Sequence, residues 1–289
     1  MEKLLKSLLF VPGDQAEKIE KAWQSDADCL ILDLEDGVAP QHKAAARQIV
    51  QRALHTSRPK TLPILVRVNC DLAHQKADIE VAVDRQVSGI VLPKTNTPTE
   101  VVAVAREIER AEREKGIADN TTQLFLLIES ARGLLELPSL AAADKRVAGL
   151  IFGAEDWCLD MGIVRTKAGA ELEIARWNIA LCARAHRLVA VDTVFADFRD
   201  AEGLLRDAEI GRRMGFSGKL AIHPKQIEVI HSAFVPTATE IADAKALVAA
   251  FDEAEIKGQG AIAFNGRMVD KPIAERARQV LLRAQQAKD

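Results

Sequence analysis

Short apolar runs alternate with longer amphipathic segments along this chain. The apolar runs lie near residues 7–12, 29–35, 63–69, 89–94, 123–129, 147–153, 189–195 and 218–223. Segments with helical periodicity occupy 15–24, 40–55, 74–85, 98–115, 133–142, 168–187, 200–214, 225–233 and 239–256. Continuous apolar runs of this length are typical of parallel strands that are buried on both faces. The pattern therefore predicts strands that alternate with crossover helices.

The number of repeats points to a particular α/β fold. Eight strand–helix units in about 250 residues is the size expected of a (β/α)8 TIM barrel. A doubly wound open sheet is the alternative, and it usually carries a G-x-G-x-x-G turn after its first strand. Residues 11–15, which read V-P-G-D-Q, lack that turn. We therefore predict a TIM-barrel catalytic domain over residues 1–257.

The last thirty or so residues depart from the alternation. Residues 258–270 resemble a hairpin that turns at Asn265-Gly266, a pair typical of two-residue hairpin turns. A helix is predicted over 272–287, opened by Pro272 in a position that proline favours. Because this segment follows a completed barrel, we expect an extension, 258–289, that packs outside the barrel or on a neighbouring subunit.

Composition excludes several classes of protein. The 289 residues include 39 basic and 42 acidic side chains spread along the chain, so there is no electrostatic footprint for nucleic acid. No apolar stretch approaches the roughly 18 residues of a membrane span. The four cysteines lie far apart without a C-x-x-C pair, which argues against a zinc site or a disulfide scaffold. We expect a cytoplasmic protein that acts on a small molecule.

Carboxylates follow three of the apolar runs directly. Glu129 ends the fifth run, Asp156 follows the sixth, and residues 33–36 (D-L-E-D) end the second. The carboxyl ends of barrel strands converge on the face that carries the active site. Hard oxygen ligands without nearby His or Cys suit Mg²⁺ or Mn²⁺. Glu129 and Asp156 are therefore predicted metal ligands; the alternative for each is a loop cap or an ion pair.

Basic side chains also occur at strand ends. Arg67 has two interpretations, since it could neutralise the acids or bind a substrate carboxylate with its planar fork. Asp33, Glu35 and Asp36 could pair with Arg67 or Lys94, or could order metal-bound water. Lys94 could form a Schiff base, but ion pairing is the favoured interpretation beside a metal site.

The remaining polar candidates carry weaker signals. Asp192 and Asp197 flank the seventh strand, and His223 ends the eighth, where a structural histidine is the favoured interpretation. Three lysines near the first strand could contact phosphate groups, although a solvated helix face explains two of them equally well. These lysines are Lys6, Lys18 and Lys21.

Seven motifs, taken in order, resemble the citrate lyase β-subunit (CitE-like) branch of the HpcH/HpaI aldolase family. They lie at residues 6–13, 32–38, 66–69, 92–95, 128–130, 152–156 and 265–272. The resemblance covers nearly the whole chain. It implies a modified TIM barrel that assembles as a homotrimer or hexamer and binds Mg²⁺. It also implies that a carbon–carbon bond is made or broken beside a coenzyme A or acyl-carrier thioester.

The resemblance also implies roles for individual residues. Glu129 and Asp156 match the Mg²⁺ ligands, and Arg67 matches the residue that holds the oxo-acid carboxylate. Asp270 matches a catalytic base that the C-terminal segment of a neighbouring subunit delivers. Independently of the resemblance, Glu35 and Asp36 are predicted to support catalysis. Lys6 stands where relatives often have Arg, so the charge is kept and a bidentate phosphate contact is not.

The function implied is a Mg²⁺-dependent lyase that cleaves a 3-hydroxy-3-carboxyacyl thioester. Citramalyl-CoA, giving acetyl-CoA and pyruvate, is the narrow expectation, and malyl-CoA is the other coenzyme A substrate. One alternative is a subunit of a citrate lyase complex that cleaves citryl-acyl-carrier protein to oxaloacetate and the acetyl form. Another is a malyl-CoA thioesterase, and a last alternative is a non-catalytic binding module.

Overall fold

The computed structural model describes residues 5–57 and 59–286. These residues form two compact units. Leu5–His231 make up the first, and the second comprises the described chain from Ser232 onward.

The first unit is a closed barrel of parallel strands in chain order. Each strand pairs with the next, and the barrel closes where the first strand pairs with the eighth. The predicted (β/α)8 barrel is therefore confirmed. The strands are β1 (Ser7–Pro12), β2 (Cys29–Asp33), β3 (Ile64–Arg67), β4 (Gly89–Leu92), β5 (Gln123–Ile128), β6 (Val147–Phe152), β7 (Val189–Asp192) and β8 (Gly218–Ala221).

Helices follow the strands, and side-chain caps fix several of their starts. Thr97 accepts a hydrogen bond from the N–H of Glu100, whose side chain bonds back to the N–H of Thr97. The helices are α1 (Ala16–Ala22), α2 (Lys43–Leu54), α3 (Leu72–Ala82), α4 (Pro98–Glu114), α5 (Ala131–Leu135), α6 (Leu137–Ala141), α7 (Ala154–Asp160), α8 (Glu173–His186), α9 (Ala201–Met214) and α10 (Gln226–Phe234).

The helices differ from the prediction at several points. The helix predicted over 133–142 is divided into α5 and α6, because Pro138 lies in the first turn of α6, where its missing N–H costs no helical bond. The helix α7 was not predicted. Residues 170–172 form a 3-10 turn, so α8 begins at Glu173, later than the predicted 168.

Apolar side chains from the strands fill the interior of the barrel. Alternate residues of a strand point to opposite faces, so one set lines the interior and the other faces the helices. Burying such side chains stabilises the barrel by about 25 cal/mol per Å² of apolar surface. The interior cluster comprises Leu8, Cys29, Ile31, Leu65, Val91, Phe125, Leu127, Ile151, Val191 and Leu220.

A buried ion network joins the last two barrel strands to their helices. Arg176 of α8 donates to both carboxylate oxygens of Asp192, at 2.9 and 3.0 Å. Lys219 of β8 lies 2.7 Å from Asp192 and 2.6 Å from Asp207 of α9. Arg176, Lys219 and Asp192 are almost inaccessible to solvent. Asp192, a candidate from the sequence, therefore serves this network.

Replacing Asp192 with Ala is expected to destabilise the protein by about 3–5 kcal/mol, because two buried cations would retain one carboxylate between them. Chemical denaturation monitored by circular dichroism measures the loss. Asp119→Ala, at an exposed position, is the matched control and should change the free energy of unfolding by less than about 0.5 kcal/mol. Equal effects of the two substitutions would contradict a stabilising role for the network.

The second unit contains the C-terminal extension. Its elements are α11 (Ala238–Ile256), β9 (Ala261–Phe264), β10 (Arg267–Asp270) and α12 (Lys271–Gln286). The strands are antiparallel, and Asn265 and Gly266 both have positive φ, at 49° and 74°, as a type I′ turn requires. The predicted hairpin and terminal helix are thus present, and α11 packs with them. Delivery of a residue to a neighbouring subunit stays a prediction.

The structure also bears on the membrane and cysteine predictions. In the described part of the chain, every helix is too short or too polar to cross a membrane. The four cysteines are free thiols, three of them buried.

Candidate metal and substrate site

A cavity of about 390 Å³ opens at the carboxyl ends of the barrel strands. Its polar lining includes Asp33, Asp36, Arg67, Glu129 and Asp156. Apolar side chains form the rest of its wall. A cavity of this size, with a few polar groups among apolar ones, suits a small-molecule ligand. The apolar lining includes Phe10, Leu127, Phe152 and Leu220.

Arg67 is held by a two-pronged ion pair with Asp33. Its Nε and one terminal nitrogen donate to the two carboxylate oxygens at 2.7 and 2.6 Å. The two residues are paired neighbours across β2 and β3, so the register of the sheet places them together. Asp33 also accepts the backbone N–H groups of Glu35 and Gly37, both at 2.9 Å. The guanidinium therefore has a fixed orientation.

Further contacts surround the guanidinium of Arg67. Its other terminal nitrogen lies 3.0 Å from Glu35 and 3.9 Å from Asp36. The guanidinium carbon is 4.8 Å from the centre of the Phe10 ring. Burial acts to lower the pKa of Arg67, but the hydrogen bond and charge of Asp33 and the charges of Glu35 and Asp36 outweigh it and raise that pKa. Arg67 is thus a permanent cation at the cavity.

Glu129 immediately follows β5 and is almost fully buried, at 4% exposure. The backbone N–H of Lys94 donates to it at 2.6 Å. A Cβ on Gly153 would come within 2.6 Å of a Glu129 oxygen, so this close approach requires glycine. Burial raises the pKa of Glu129 to about 8, with Asp156 and Glu35 adding to the rise and the Lys94 hydrogen bond opposing it. A nearby cation would favour its ionised form.

Asp156 approaches the cavity from a helix, whereas the sequence suggested the end of a strand. The strand β6 ends at Phe152, and Asp156 lies in the first turn of α7. The hydroxyl of Thr193 accepts the N–H of Ala154 at 3.1 Å, which ties the start of α7 to the residue after β7. Glu155, beside Asp156, is paired with Arg165 and exposed. The structure thereby brings Asp156 and Glu129 to one cavity.

Lys94 and Glu35 form an ion pair beside Arg67. The Lys94 ammonium lies 3.1 Å from Glu35 and 3.7 Å from Asp36. Burial raises the pKa of Glu35, the charge of Asp36 adds to this, and Arg67 and Lys94 oppose it. The structure therefore shows the charge pairing that was one of the two interpretations of this acid group.

The charges of the site leave an excess of carboxylate. The site contains five acids, at positions 33, 35, 36, 129 and 156, and two cations, at 67 and 94. Across residues 5–57 and 59–286 no three His, Cys, Asp or Glu side chains form a ligand group. Two carboxylates nevertheless fit Mg²⁺, which usually retains several waters and is bound through one or two protein carboxylates. The donor chemistry therefore suits a hard divalent cation.

The three lysines predicted near phosphates lie away from this cavity. Lys6 precedes β1 at the amino end of the barrel, opposite the cavity, and its N–H donates to Asp28 at 3.0 Å. Lys18 and Lys21 are exposed residues of α1, and neither lines the cavity. The position of Lys6 gives its predicted phosphate contact no geometric support. A surface role of Lys18 and Lys21 in binding coenzyme A stays a prediction.

Each of the other candidates makes a local contact. Asp270 lies in the second unit, where its carboxylate accepts the N–H of Ile273 at 3.3 Å in the first turn of α12. Its role as a base stays a prediction. Asp197 is exposed and lies 3.3 Å from Lys167. His223 stacks on Phe198, with ring centres 4.8 Å apart.

Three residues of the site were missed by reasoning from the sequence. Phe10 lies beneath Arg67, Thr193 anchors α7, and Gly153 makes room for Glu129. Gly153 carried a usable signal, because a glycine between a buried strand and two acids marks a close approach of the backbone. Phe10 and Thr193 are ordinary strand-end residues, and only the closed barrel brings them to the site.

Comparison with known proteins identifies the family of this chain. The family model described as HpcH/HpaI aldolase/citrate lyase matches residues 6–224. The chain belongs to this family. The family resemblance predicted from the motifs is confirmed, as is assignment of the chain to a family of lyases.

Relatives within the HpcH/HpaI family carry different names. Citrate lyase subunit beta of Haemophilus influenzae is 36% identical, with 98% of this chain and 97% of the relative covered. The mitochondrial citramalyl-CoA lyase of Rattus norvegicus is 32% identical, over 98% of this chain and 87% of the relative. The (3S)-malyl-CoA thioesterase of Cereibacter sphaeroides is 34% identical, over 97% of this chain and 94% of the relative. The specific substrate therefore differs between relatives of similar identity.

A solved structure of the family extends the comparison. It is CitE of Mycobacterium tuberculosis in complex with magnesium, acetoacetate and coenzyme A. It is 33% identical to this chain, covers 97% of this chain and 98% of its own, and has a TM-score of 0.83.

Proposed function

We propose that the protein is a Mg²⁺-dependent carbon–carbon lyase that acts on a 3-hydroxy-3-carboxyacyl thioester. The main observation in support is that Glu129, Asp156 and Arg67 line one cavity at the carboxyl end of the barrel. Two carboxylates suit a hard cation, and a fixed guanidinium suits a substrate carboxylate.

Glu129 and Asp156 are the proposed Mg²⁺ ligands. Supporting this assignment, the CitE structure from Mycobacterium tuberculosis contains magnesium, and the site described above has an excess of carboxylates. When bound, the ion supplies Lewis-acid stabilisation of the substrate oxygen that becomes a ketone.

Arg67 is proposed to bind the carboxylate of the substrate. Asp33 occupies two of the five N–H donors of its guanidinium, and Glu35 lies beside the remaining terminal nitrogen. The fixed orientation of the guanidinium also fixes the direction of its other N–H donors. Holding the carboxylate at Arg67 orients the adjacent hydroxyl-bearing carbon, and such orientation accounts for a large part of enzymatic rate enhancement.

The proposed reaction balances without an oxidant or added water. A base removes the proton of the C3 hydroxyl, and the C2–C3 bond breaks as that oxygen becomes the carbonyl of a 2-oxo acid. The bonding electrons pass to the thioester as an enolate, which is protonated at carbon to the acyl thioester. Asp270, delivered by the extension of a neighbouring subunit in a homotrimer or hexamer, is the proposed base.

Citramalyl-CoA is the proposed substrate, yielding acetyl-CoA and pyruvate. The similarity to a citramalyl-CoA lyase supports it. Apolar side chains of the same cavity, among them Phe152 and Leu220, suit the methyl group on the hydroxyl carbon. Discrimination against malyl-CoA, which has hydrogen there, amounts to only about 1–3 kcal/mol for one methyl group. Activity on both thioesters is therefore expected, with citramalyl-CoA preferred.

A panel assay tests the proposed function. Purified protein with Mg²⁺ is supplied with citramalyl-, malyl- and citryl-CoA, and the release of 2-oxo acid and of free thiol is followed separately. We expect one 2-oxo acid per thioester consumed and no free coenzyme A, with the highest kcat/KM on citramalyl-CoA. Absence of turnover on all three would contradict the proposal and favour a binding module or a subunit that needs its partners.

Two alternatives have specific support. The similarity to a (3S)-malyl-CoA thioesterase favours hydrolysis of malyl-CoA, which would release free coenzyme A without a 2-oxo acid. The similarity to citrate lyase subunit beta favours action on an acyl-carrier thioester within a complex. Activity of the isolated chain on coenzyme A thioesters would exclude a role restricted to such a complex.

A further inference from the structure

Lys94 contacts both functional parts of the proposed site. Its backbone N–H donates to Glu129 at 2.6 Å, while its ammonium lies 3.1 Å from Glu35 and 3.7 Å from Asp36. These two acids in turn flank the guanidinium of Arg67. One residue therefore joins the proposed metal ligand to the proposed carboxylate-binding group.

The backbone of Lys94 has an unusual conformation that serves the first contact. Its φ is +49°, in the left-handed region that side chains with a Cβ disfavour. Neighbouring bonds hold this turn: the Asn96 side chain donates to the carbonyl of Lys94 at 2.8 Å, and the Thr95 hydroxyl donates to that of Leu92 at 2.9 Å. The N–H of residue 94 is thus directed at Glu129 by the backbone, whatever side chain the residue carries.

The ammonium of Lys94 serves the second contact through charge. Asp33, Glu35 and Asp36 all lie within 4 Å of Arg67, so three carboxylates surround one guanidinium. An incoming carboxylate would be repelled by this group. The Lys94 ammonium lies near Glu35 and Asp36, the two acids outside the ion pair of Asp33 with Arg67. It offsets their negative charge.

We infer that Lys94 is a positioning residue for the substrate anion, acting through Glu35 and Asp36 on Arg67, while its backbone separately holds Glu129. This inference rests on the proposed function. It assigns the two contacts to different parts of the residue, so substitution of the side chain should affect anion binding and leave the metal ligand in place.

The test is a pair of binding measurements on Lys94→Met and Lys94→Gly. Mg²⁺ binding is measured by calorimetry, and pyruvate binding is measured in saturating Mg²⁺. Both variants should bind Mg²⁺ at least as tightly as the unsubstituted protein, since the N–H remains and the site becomes more negative. Pyruvate affinity should fall by roughly tenfold or more, the loss expected when a charge-assisted contact is weakened. Lys94→Arg should restore most of it.

Steady-state kinetics supply the second readout. The KM for the thioester should rise in both neutral variants by more than kcat falls. Lys94→Gly is the control for misfolding, because glycine adopts the positive φ of this position without strain. Lys145→Met, at an exposed lysine preceding β6 at the other end of the barrel, is the matched control and should leave both affinities unchanged.

Two results would overturn the inference. A parallel loss of Mg²⁺ and pyruvate affinity in both neutral variants would assign Lys94 a purely structural role, and unchanged pyruvate affinity would remove the link to the anion. Failure of the unsubstituted protein to bind Mg²⁺ is a different outcome, which would overturn the proposed function itself.

Discussion

Replacing Glu129 with Gln, or Asp156 with Asn, is expected to abolish measurable Mg²⁺ binding and to lower kcat/KM by about a thousandfold or more. Each substitution removes one of two proposed carboxylate ligands while keeping the shape of the side chain. Loss of Lewis-acid stabilisation worth about 4 kcal/mol corresponds to that factor in rate. Removal of divalent ions with a chelator should lower the activity of the unsubstituted protein to a similar level, and added Mg²⁺ should restore it.

The stability of the Glu129→Gln variant separates loss of a ligand from loss of the fold. The Glu129 carboxylate is buried beside other acids, and burial raises its pKa to about 8. A neutral amide avoids the cost of either burying a charge or taking up a proton at this position without a cation, and its oxygen still accepts the N–H of Lys94. The Tm of the metal-free variant should therefore equal or exceed that of the unsubstituted protein.

A matched carboxylate supplies the control for both substitutions. Glu173 is exposed in the first turn of α8, outside the cavity, and Glu173→Gln should leave Mg²⁺ affinity and turnover unchanged. If Glu129→Gln and Asp156→Asn retained Mg²⁺ affinity and turnover, the proposed metal site would be wrong.

Mixing an Asp270→Ala chain with an Arg67→Ala chain is expected to restore activity that neither chain has alone. Loss of a general base typically lowers the rate about 10²–10⁴-fold, and loss of Arg67 removes the proposed carboxylate contact. If Asp270 acts on the barrel of a neighbouring subunit, an intact site forms wherever an Asp270→Ala barrel meets an Arg67→Ala extension. When equal amounts of the two chains mix at random in a cyclic oligomer, about a quarter of all sites contain both intact groups.

The measurement requires proof that the subunits exchange. Chains with different affinity tags are co-expressed, the doubly tagged oligomers are isolated, and their citramalyl-CoA turnover is compared with that of each variant alone. The Asp270 carboxylate accepts the N–H of Ile273 at the start of α12. Asp270→Asn keeps a side-chain oxygen that can accept this bond, so it serves as a second variant. No restoration in doubly tagged oligomers would exclude delivery of Asp270 between subunits.

The barrel could be predicted from the sequence because its strands are buried on both faces. That burial produces apolar runs with no polar alternation, and each run ends where the carboxyl end of the strand meets the cavity. Glu129 and Arg67 were found for this reason, since each interrupts apolar sequence at a strand end. The hairpin could also be predicted from the sequence, because Asn265 and Gly266 occupy the two turn positions that require positive φ.

Other features could not be read from local sequence. The helix α7 has seven residues, too few for a periodicity to be distinguished from the apolar strand before it. Its acidic first turn, with Glu155 and Asp156, was the available signal for a helix start. Contacts across the barrel, such as that of Phe10 with Arg67, depend on which strand ends meet. The placement of Lys6 was predictable, because a residue that precedes a barrel strand lies at the amino end.

The ion pair between Asp33 and Arg67 has a consequence for how the barrel assembles. The two residues are registered partners on β2 and β3. A slip of one residue between these strands would turn one member of the pair toward the opposite face, leaving a buried charge without its counterpart at a cost of about 3–5 kcal/mol. Misaligned barrels would therefore be disfavoured during folding, and the ion pair that orients the proposed substrate-binding Arg67 would also enforce the correct alignment of the sheet that carries it.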